Sequence, residues 1–119
     1  MSHTVSIKTQ FKDAACIGSA AKELRLEVLP DGEHQLFAGK VRGIAVKLPA
    51  WKYPVVIDTK TGEAKFDNYN GAWGKQSELD KFTQMYAVHK ATAAAKAKGY
   101  LVTRKAKADG TLQLVVTGM

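Results

Sequence analysis

The side chains best equipped for metal or proton chemistry are the one cysteine, Cys16, and the three histidines, His3, His34 and His89. None of them falls in a C-x-x-C or H-x-x-x-H arrangement, the short spacing that lets one turn present two ligands to one ion. No metal site is expected. His89 has the most suggestive context, because helical spacing puts it on one stripe with Phe82 and Tyr86. It reads either as a half-buried histidine bonded to a neighbour or as a proton-transfer or ligand-contacting group beside Tyr86. General acid–base work also needs a positioned partner, and no carboxylate adjoins His89 in sequence. Nucleophilic chemistry has less support. There is no G-x-S-x-G, and Ser6, Ser19 and Ser77 have local structural explanations. Glu78 and Asp80 fall in a first helical turn, where they complement the helix dipole. Asp58 and Asp67 flank a hairpin and could face each other or solvent. No catalytic residue and no cofactor is implied.

Anion recognition has more to work with. Gly39-Lys40-Val41-Arg42-Gly43 sets two cations between glycines, so that amides and side chains could converge on a phosphate. The alternative is the opening of a strand, with Lys40 and Arg42 solvated. Downstream, Asn68–Gly74 carries Tyr69, Asn70 and Trp73, near in sequence to Lys75 and preceded by Lys47 and Lys52. Aromatic faces beside cations can stack a base while the cations hold phosphate. The structural alternative, and the one expected here, has Trp73 plugging the sheet edge above a long helix. Arg104, Lys105 and Lys107, if they adjoin Lys96 and Lys98, make a basic end suited to sequence-independent binding of a nucleic-acid backbone. They lack an RNP-type aromatic motif.

The composition sets the bounds. The 119 residues suffice for one α+β domain spanning 1–119 with its own core. A lone cysteine makes no internal disulfide, which favours a reducing compartment and a cytoplasmic location. No apolar run approaches the roughly 20 residues of a membrane helix, and no signal-peptide stretch opens the chain. The formal charge of +7 comes from 18 Lys plus Arg against 11 Asp plus Glu. Such a field attracts nucleic acid, nucleotides or an acidic protein, and it equally serves solubility. Only three of the cations are arginine, the residue best shaped for bidentate phosphate recognition.

These residues must be positioned by a few elements. Alternation predicts a strand over 4–11, and Asp13 can cap a helix over 14–24 bearing Ile17, Ala20, Ala21 and Leu24. Gly18 weakens that helix unless the backbone packs closely there. Leu26 and Val28 lead into a turn at Pro30-Asp31-Gly32. Ile44, Val46 and Leu48 share a strand face that ends near Pro49, and Tyr53, Val55 and Ile57 share the next. Thr59–Gly62 forms a hairpin loop into Glu63–Asn68. Ser77-Glu78-Leu79-Asp80 resembles a cap for a helix over 77–98, with Leu79, Phe82, Tyr86, Ala93 and Ala97 on its buried stripe. Gly99 ends it. Asp109-Gly110 between two alternating runs predicts a type I′ hairpin. The same helix carries a weakly apolar second face of Gln84, Val88, Ala91 and Ala95. Small side chains there would admit another helix, as in a homo-oligomer, or merely promote helix formation.

Several separated blocks also carry a family likeness. Met1-Ser2-His3 leads into Ile7-Lys8-Thr9-Gln10. Arg42-Gly43, the aromatic stretch Asn68–Gly74, Thr83-Gln84-Met85-Tyr86-Ala87 and Asp109-Gly110-Thr111 then follow in order. Together they resemble a domain of unknown function found in bacteria, phages and algal plastids, whose plastid members are hypothetical chloroplast reading frame thirty-five. The likeness covers nearly the whole chain. Relatives carry a tryptophan pair where this chain has Trp73 alone, which weakens any role resting on a doubled indole. The resemblance implies no activity.

The resulting expectation is an α+β two-layer sandwich, a largely antiparallel sheet with two helices on one face, a ferredoxin-like variant being one form of it. Functionally it is a non-enzymatic binding or assembly module, oligomeric, engaging nucleic acid or a nucleotide-like ligand. The alternatives are a small enzyme with a Tyr86/His89 pocket and a structural adaptor for a larger protein. No membrane partner is expected.

Overall fold

The computed structural model describes residues 5–7, for the backbone alone, and 10–118. His3 and the expected strand residues 4, 8 and 9 lie outside these. In chain order the elements are β1 (Val5–Ile7), α1 (Ala14–Glu23), β2 (Glu27–Leu36), β3 (Gly39–Lys47), β4 (Val55–Asp58), β5 (Glu63–Phe66), α2 (Gln76–Ala97), β6 (Leu101–Ala106) and β7 (Leu112–Thr117). Five strands pair antiparallel in the order β1-β5-β4-β3-β2, and β6 and β7 form a separate two-stranded sheet. The fold is α+β, as the element pattern predicts. The strand order is not ferredoxin-like, because the last hairpin packs on α2 and does not enter the main sheet. Gly99, at φ 82°, and the Tyr100 N–H donating to Ala95 O turn the chain back along the helix.

Both helices cover one face of the sheet. Strand alternation sends Val46, Leu48, Val55, Ile57, Ala64 and Phe66 to meet Ile17, Ala20 and Ala21 of α1 and Leu79, Phe82 and Tyr86 of α2. Phe11 sits between the layers, stacked 5.9 Å from Phe82 and edge-on 4.8 Å from Tyr86. Each of the larger aliphatic and phenylalanine side chains contributes about 1.5–3 kcal/mol on burial. Asp13 caps α1 as expected, its Oδ1 accepting from the Cys16 N–H at 3.0 Å. That bond is the main reason its carboxyl is held below the usual aspartate value. α2 starts at Gln76 without a side-chain cap, so Ser77 lies inside the helix.

Two turn expectations need correction, and one of them shapes the surface. Pro30-Asp31-Gly32 does not turn the chain. β2 runs straight through it, and the register with β3 shifts between Leu29 and Gly32. As the outer strand of the sheet, β2 tolerates a proline without an N–H, and the extra residue is taken up as a bulge. The His34 ring spans the bulge, its Nε2 2.9 Å from Pro30 O. The reversal comes later, at Phe37-Ala38. Leu36, at 0% exposure, packs in one cluster with Ala45 and Val56 on the helix-free face, although its own strand partner is Gly39. The distal half of the β2–β3 hairpin therefore doubles back over that face. Gly43 permits the bend, because a Cβ there would lie 2.4 Å from Ile57 O. The second correction is at Asp109-Gly110. Only Gly110 has positive φ, and the Gly110 N–H donates to Lys107 O, so the loop is a type I turn closed by a left-handed glycine.

Candidate aromatic and cationic binding surface

The helix-free face carries most of the chemistry. The loop after β5 is anchored by two buried polar residues, Asp67 at 0% and Asn68 at 7% exposure. Asp67 Oδ1 accepts from the Tyr69 N–H at 3.2 Å, and Asn68 O accepts from the Gly71 and Trp73 N–H groups. Asp67 Oδ2 has no hydrogen-bond partner among the described residues. These bonds hold Tyr69 at φ 48° and Asn70 at φ 53°, backbone conformations that cost about 1–3 kcal/mol each for non-glycine residues. The strain turns the Tyr69 ring onto Trp73, stacked at 4.9 Å and 24°.

Trp73 is the centre of a wider cluster. Phe37, from the tip of the doubled-back hairpin, lies 5.3 Å from it, and Tyr53 meets it edge-on at 5.6 Å. The Lys52 ammonium stands 4.6 Å over the Trp73 ring, and the Lys52 N–H donates to Trp73 O at 2.8 Å. Phe37 is 56% and Tyr69 37% exposed. Trp73 is thus not the expected plug of the sheet edge. The other tryptophan, Trp51, is the one packed against the helix-side core: its indole lies edge-on to Phe66 and against Gly74, where a Cβ would sit 2.4 Å away, and donates Nε1–H to Lys75 O.

Beside the cluster, the folded hairpin leaves a cleft of about 400 Å³ against β4 and β5. Lys40, Val41 and Arg42 line it from the hairpin, and Val56, Asp58, Glu63 and Lys65 from the sheet. Lys40 and Arg42 therefore belong to a strand, not to an amide cradle, yet they border a concave surface. Arg42 is 3.7 Å from Asp31 and Lys65 3.7 Å from Glu63, and all four are partly or well exposed. Such pairs contribute at most about 1 kcal/mol. Asp58 stands across from Glu63, not from Asp67.

The remaining expected site residues lie elsewhere and have internal partners. Tyr86, 4% exposed, donates its hydroxyl to Gln10 O at 3.0 Å and accepts from the Asp13 N–H at 3.2 Å. His89 does meet a carboxylate that its local sequence does not reveal, with Nε2 2.8 Å from Glu23 Oε1. The other oxygen of Glu23 accepts from Arg104 at 2.6 Å. Hydrogen bonding to Arg104, then to His89, holds the Glu23 carboxyl below the usual glutamate value. This cluster ties α1, α2 and β6 together, so Arg104 is not a free cation of the basic end. Lys105 and Lys107 are exposed. They follow the C-terminus of α2, whereas Trp73 precedes its N-terminus. Both lysines belong to the final hairpin, a two-stranded sheet separate from the one that borders the Trp73 cluster.

The expected helix interface also divides. Val88 and Ala95 are buried within the chain, and Ala93 and Ala97, expected on the core stripe, are not buried. Gln84 is half-buried, and exposed Ala91 joins Thr83, Ala87 and Ala94 along a shallow apolar groove. The final hairpin also contacts the helix, a neighbour that periodicity alone does not reveal. Cys16 is buried, and burial raises its thiol pKa, which keeps it protonated. Among the described residues no group of His, Cys, Asp and Glu is arranged to hold a metal ion. No helix of the described residues is long and apolar enough to cross a membrane.

No known family, curated protein or solved structure matches this chain. The family likeness of its sequence blocks stays an expectation, and function has to be read from the surface itself.

Proposed function

We propose that this protein is a non-enzymatic binding module for an anionic, ring-bearing ligand of the nucleic-acid or nucleotide class, held at the Trp73 cluster. The carrying observation is the pairing of exposed aromatic rings with a cation. Phe37 and Tyr69 present open ring surface beside Trp73, and the Lys52 ammonium lies within 4.6 Å of the same indole. Ring faces stack bases at about 1–3 kcal/mol per base, without regard to sequence, while a neighbouring ammonium neutralises phosphate. The strained Tyr69-Asn70 backbone supports the reading, since strain of this kind persists where a side chain must be aimed. The net charge of +7 adds long-range attraction for the same ligand class.

Fluorescence anisotropy with a labelled oligonucleotide at low salt tests this. Binding is expected to weaken steeply as salt rises and to fall about tenfold or more in Trp73→Ala, which removes the indole that Phe37, Tyr69 and Lys52 pack against and with it at least one base-stacking face. Lys105→Ala/Lys107→Ala is expected to leave most of the affinity in place. Binding that survives Trp73→Ala and disappears in the hairpin variant would move the site to the basic end.

A further inference from the structure

We infer that the Trp73 cluster and the hairpin cleft form one continuous track for a short single-stranded oligonucleotide, of which a free nucleotide would occupy only the aromatic end. The inference rests on the preceding proposal that the rings hold a base, and adds length and strandedness to it.

The continuity is built into the hairpin. Phe37, which touches Trp73, and Lys40, Val41 and Arg42, which line the cleft, belong to the same turn and strand. Phe37 sits in the turn, and from Gly39, where β3 starts, to Arg42 is three residues, or about 10 Å at strand spacing. At a rise of roughly 3.4 Å per stacked nucleotide, that distance covers about three nucleotides beyond the one at the rings. A base against the rings thus sends its strand toward Lys40, then Arg42, with Lys65 across the cleft.

The charges permit this path. Lys40 forms no ion pair among the described residues, and the Arg42–Asp31 pair is solvent-exposed at 70% and 63%, so Arg42 can be recruited at little cost. The carboxylates in the cleft are occupied locally. Glu63 faces Lys65 at 3.7 Å, and Asp58 Oδ1 accepts from the Lys60 N–H at 2.9 Å. Half-buried Val41 adds an apolar spot to the lining suited to a sugar or base face. Strandedness follows from the rings: in a duplex the base faces are already stacked on one another, and only an unpaired strand offers them to Phe37 and Tyr69.

The test is a length series by anisotropy or calorimetry, using thymidine monophosphate, the thymidylate trimer and hexamer, and a duplex of hexamer length. Affinity is expected to rise about tenfold or more from monophosphate to hexamer, with the duplex weaker than the hexamer. Lys40→Ala/Arg42→Ala should bring the hexamer down toward the monophosphate while leaving the monophosphate unchanged. Both side chains border solvent, so folding is expected to persist, with circular dichroism as the check. Equal affinity for monophosphate and hexamer overturns the track but leaves the ring site standing. A duplex bound as tightly as the single strand overturns the strandedness. Failure of every probe at low salt removes the ring site itself, and the track with it.

Discussion

Tyr86→Phe separates a structural tyrosine from a functional one. The substitution removes only the hydroxyl. The ring keeps its edge contact with Phe11, at 4.8 Å, and its buried position on α2. Two bonds go: one donated to Gln10 O at 3.0 Å and one accepted from the Asp13 N–H at 3.2 Å. Each such bond contributes about 0.5–1.5 kcal/mol net, and a fully buried orphaned partner costs about 1–3 kcal/mol. The site is part-buried, so water recovers some of that loss, and the sum is about 1–2 kcal/mol. For a chain of this size the melting temperature should fall by about 4–8 °C. In urea the midpoint should drop by about 0.5–1 M with the slope unchanged. Oligonucleotide affinity should not move, because Tyr86 belongs to the helix layer. A variant of unaltered stability that has lost binding would refute this reasoning and restore Tyr86 to a ligand site.

Other perturbations test other parts of the structure. Gly18 lies exposed inside α1, and a Cβ added there would meet nothing within 4 Å, so Gly18→Ala should stabilise the protein by about 0.5–1 kcal/mol in denaturant titration. Gly43→Ala should do the opposite, by about 3 kcal/mol, since the new Cβ would meet Ile57 O at 2.4 Å and force β3 from β4; thermal melting measures it. The Glu23 carboxyl, held below its usual value of 4.5, stabilises the folded state above about that pH. The contribution is lost as pH falls through the lowered folded value. Because Glu23 and Arg104 are about one-third exposed, it is below about 1 kcal/mol. Glu23→Gln should therefore lower the neutral plateau by less than about 1 kcal/mol while leaving the acid end in place, which flattens the acid limb by the same amount.

Much of this architecture was legible from local chemistry. Asp13 announces α1, Gly99 the end of α2, and the alternation of Val46, Val55 and Ile57 their shared core face. These signals work because period and capping act over a few residues. What escaped depends on contacts distant in sequence. Nothing near Pro30-Asp31-Gly32 reveals that the strand is an outer one and absorbs the proline as a bulge. Nor does the segment show that Gly43 lets the hairpin fold back and carry Phe37 to Trp73. Phe37 could have been suspected as an aromatic ring in a turn beside Gly39, where burial is not expected. Trp51 and Trp73 are indistinguishable by type, and only Gly74 beneath Trp51 decides which one packs. His89 and Arg104 find Glu23 across sequence separations of 66 and 81 residues, beyond any local pattern. The candidate surface was half legible: Lys40, Arg42, Tyr69 and Trp73 do share the helix-free side, whereas Tyr86 and His89 belong to the helix layer.

The two tryptophans are natural reporters of where a ligand binds. In a ¹H–¹⁵N correlation spectrum each indole N–H gives its own signal, and a thymidylate hexamer can be titrated in at low salt. Binding at the ring cluster requires the Trp73 indole and the amides of Phe37, Lys52 and Tyr69 to shift, while the Trp51 indole, bonded to Lys75 O, stays in place. A still Trp73 signal, with shifts confined to Lys105 and Lys107, would contradict it.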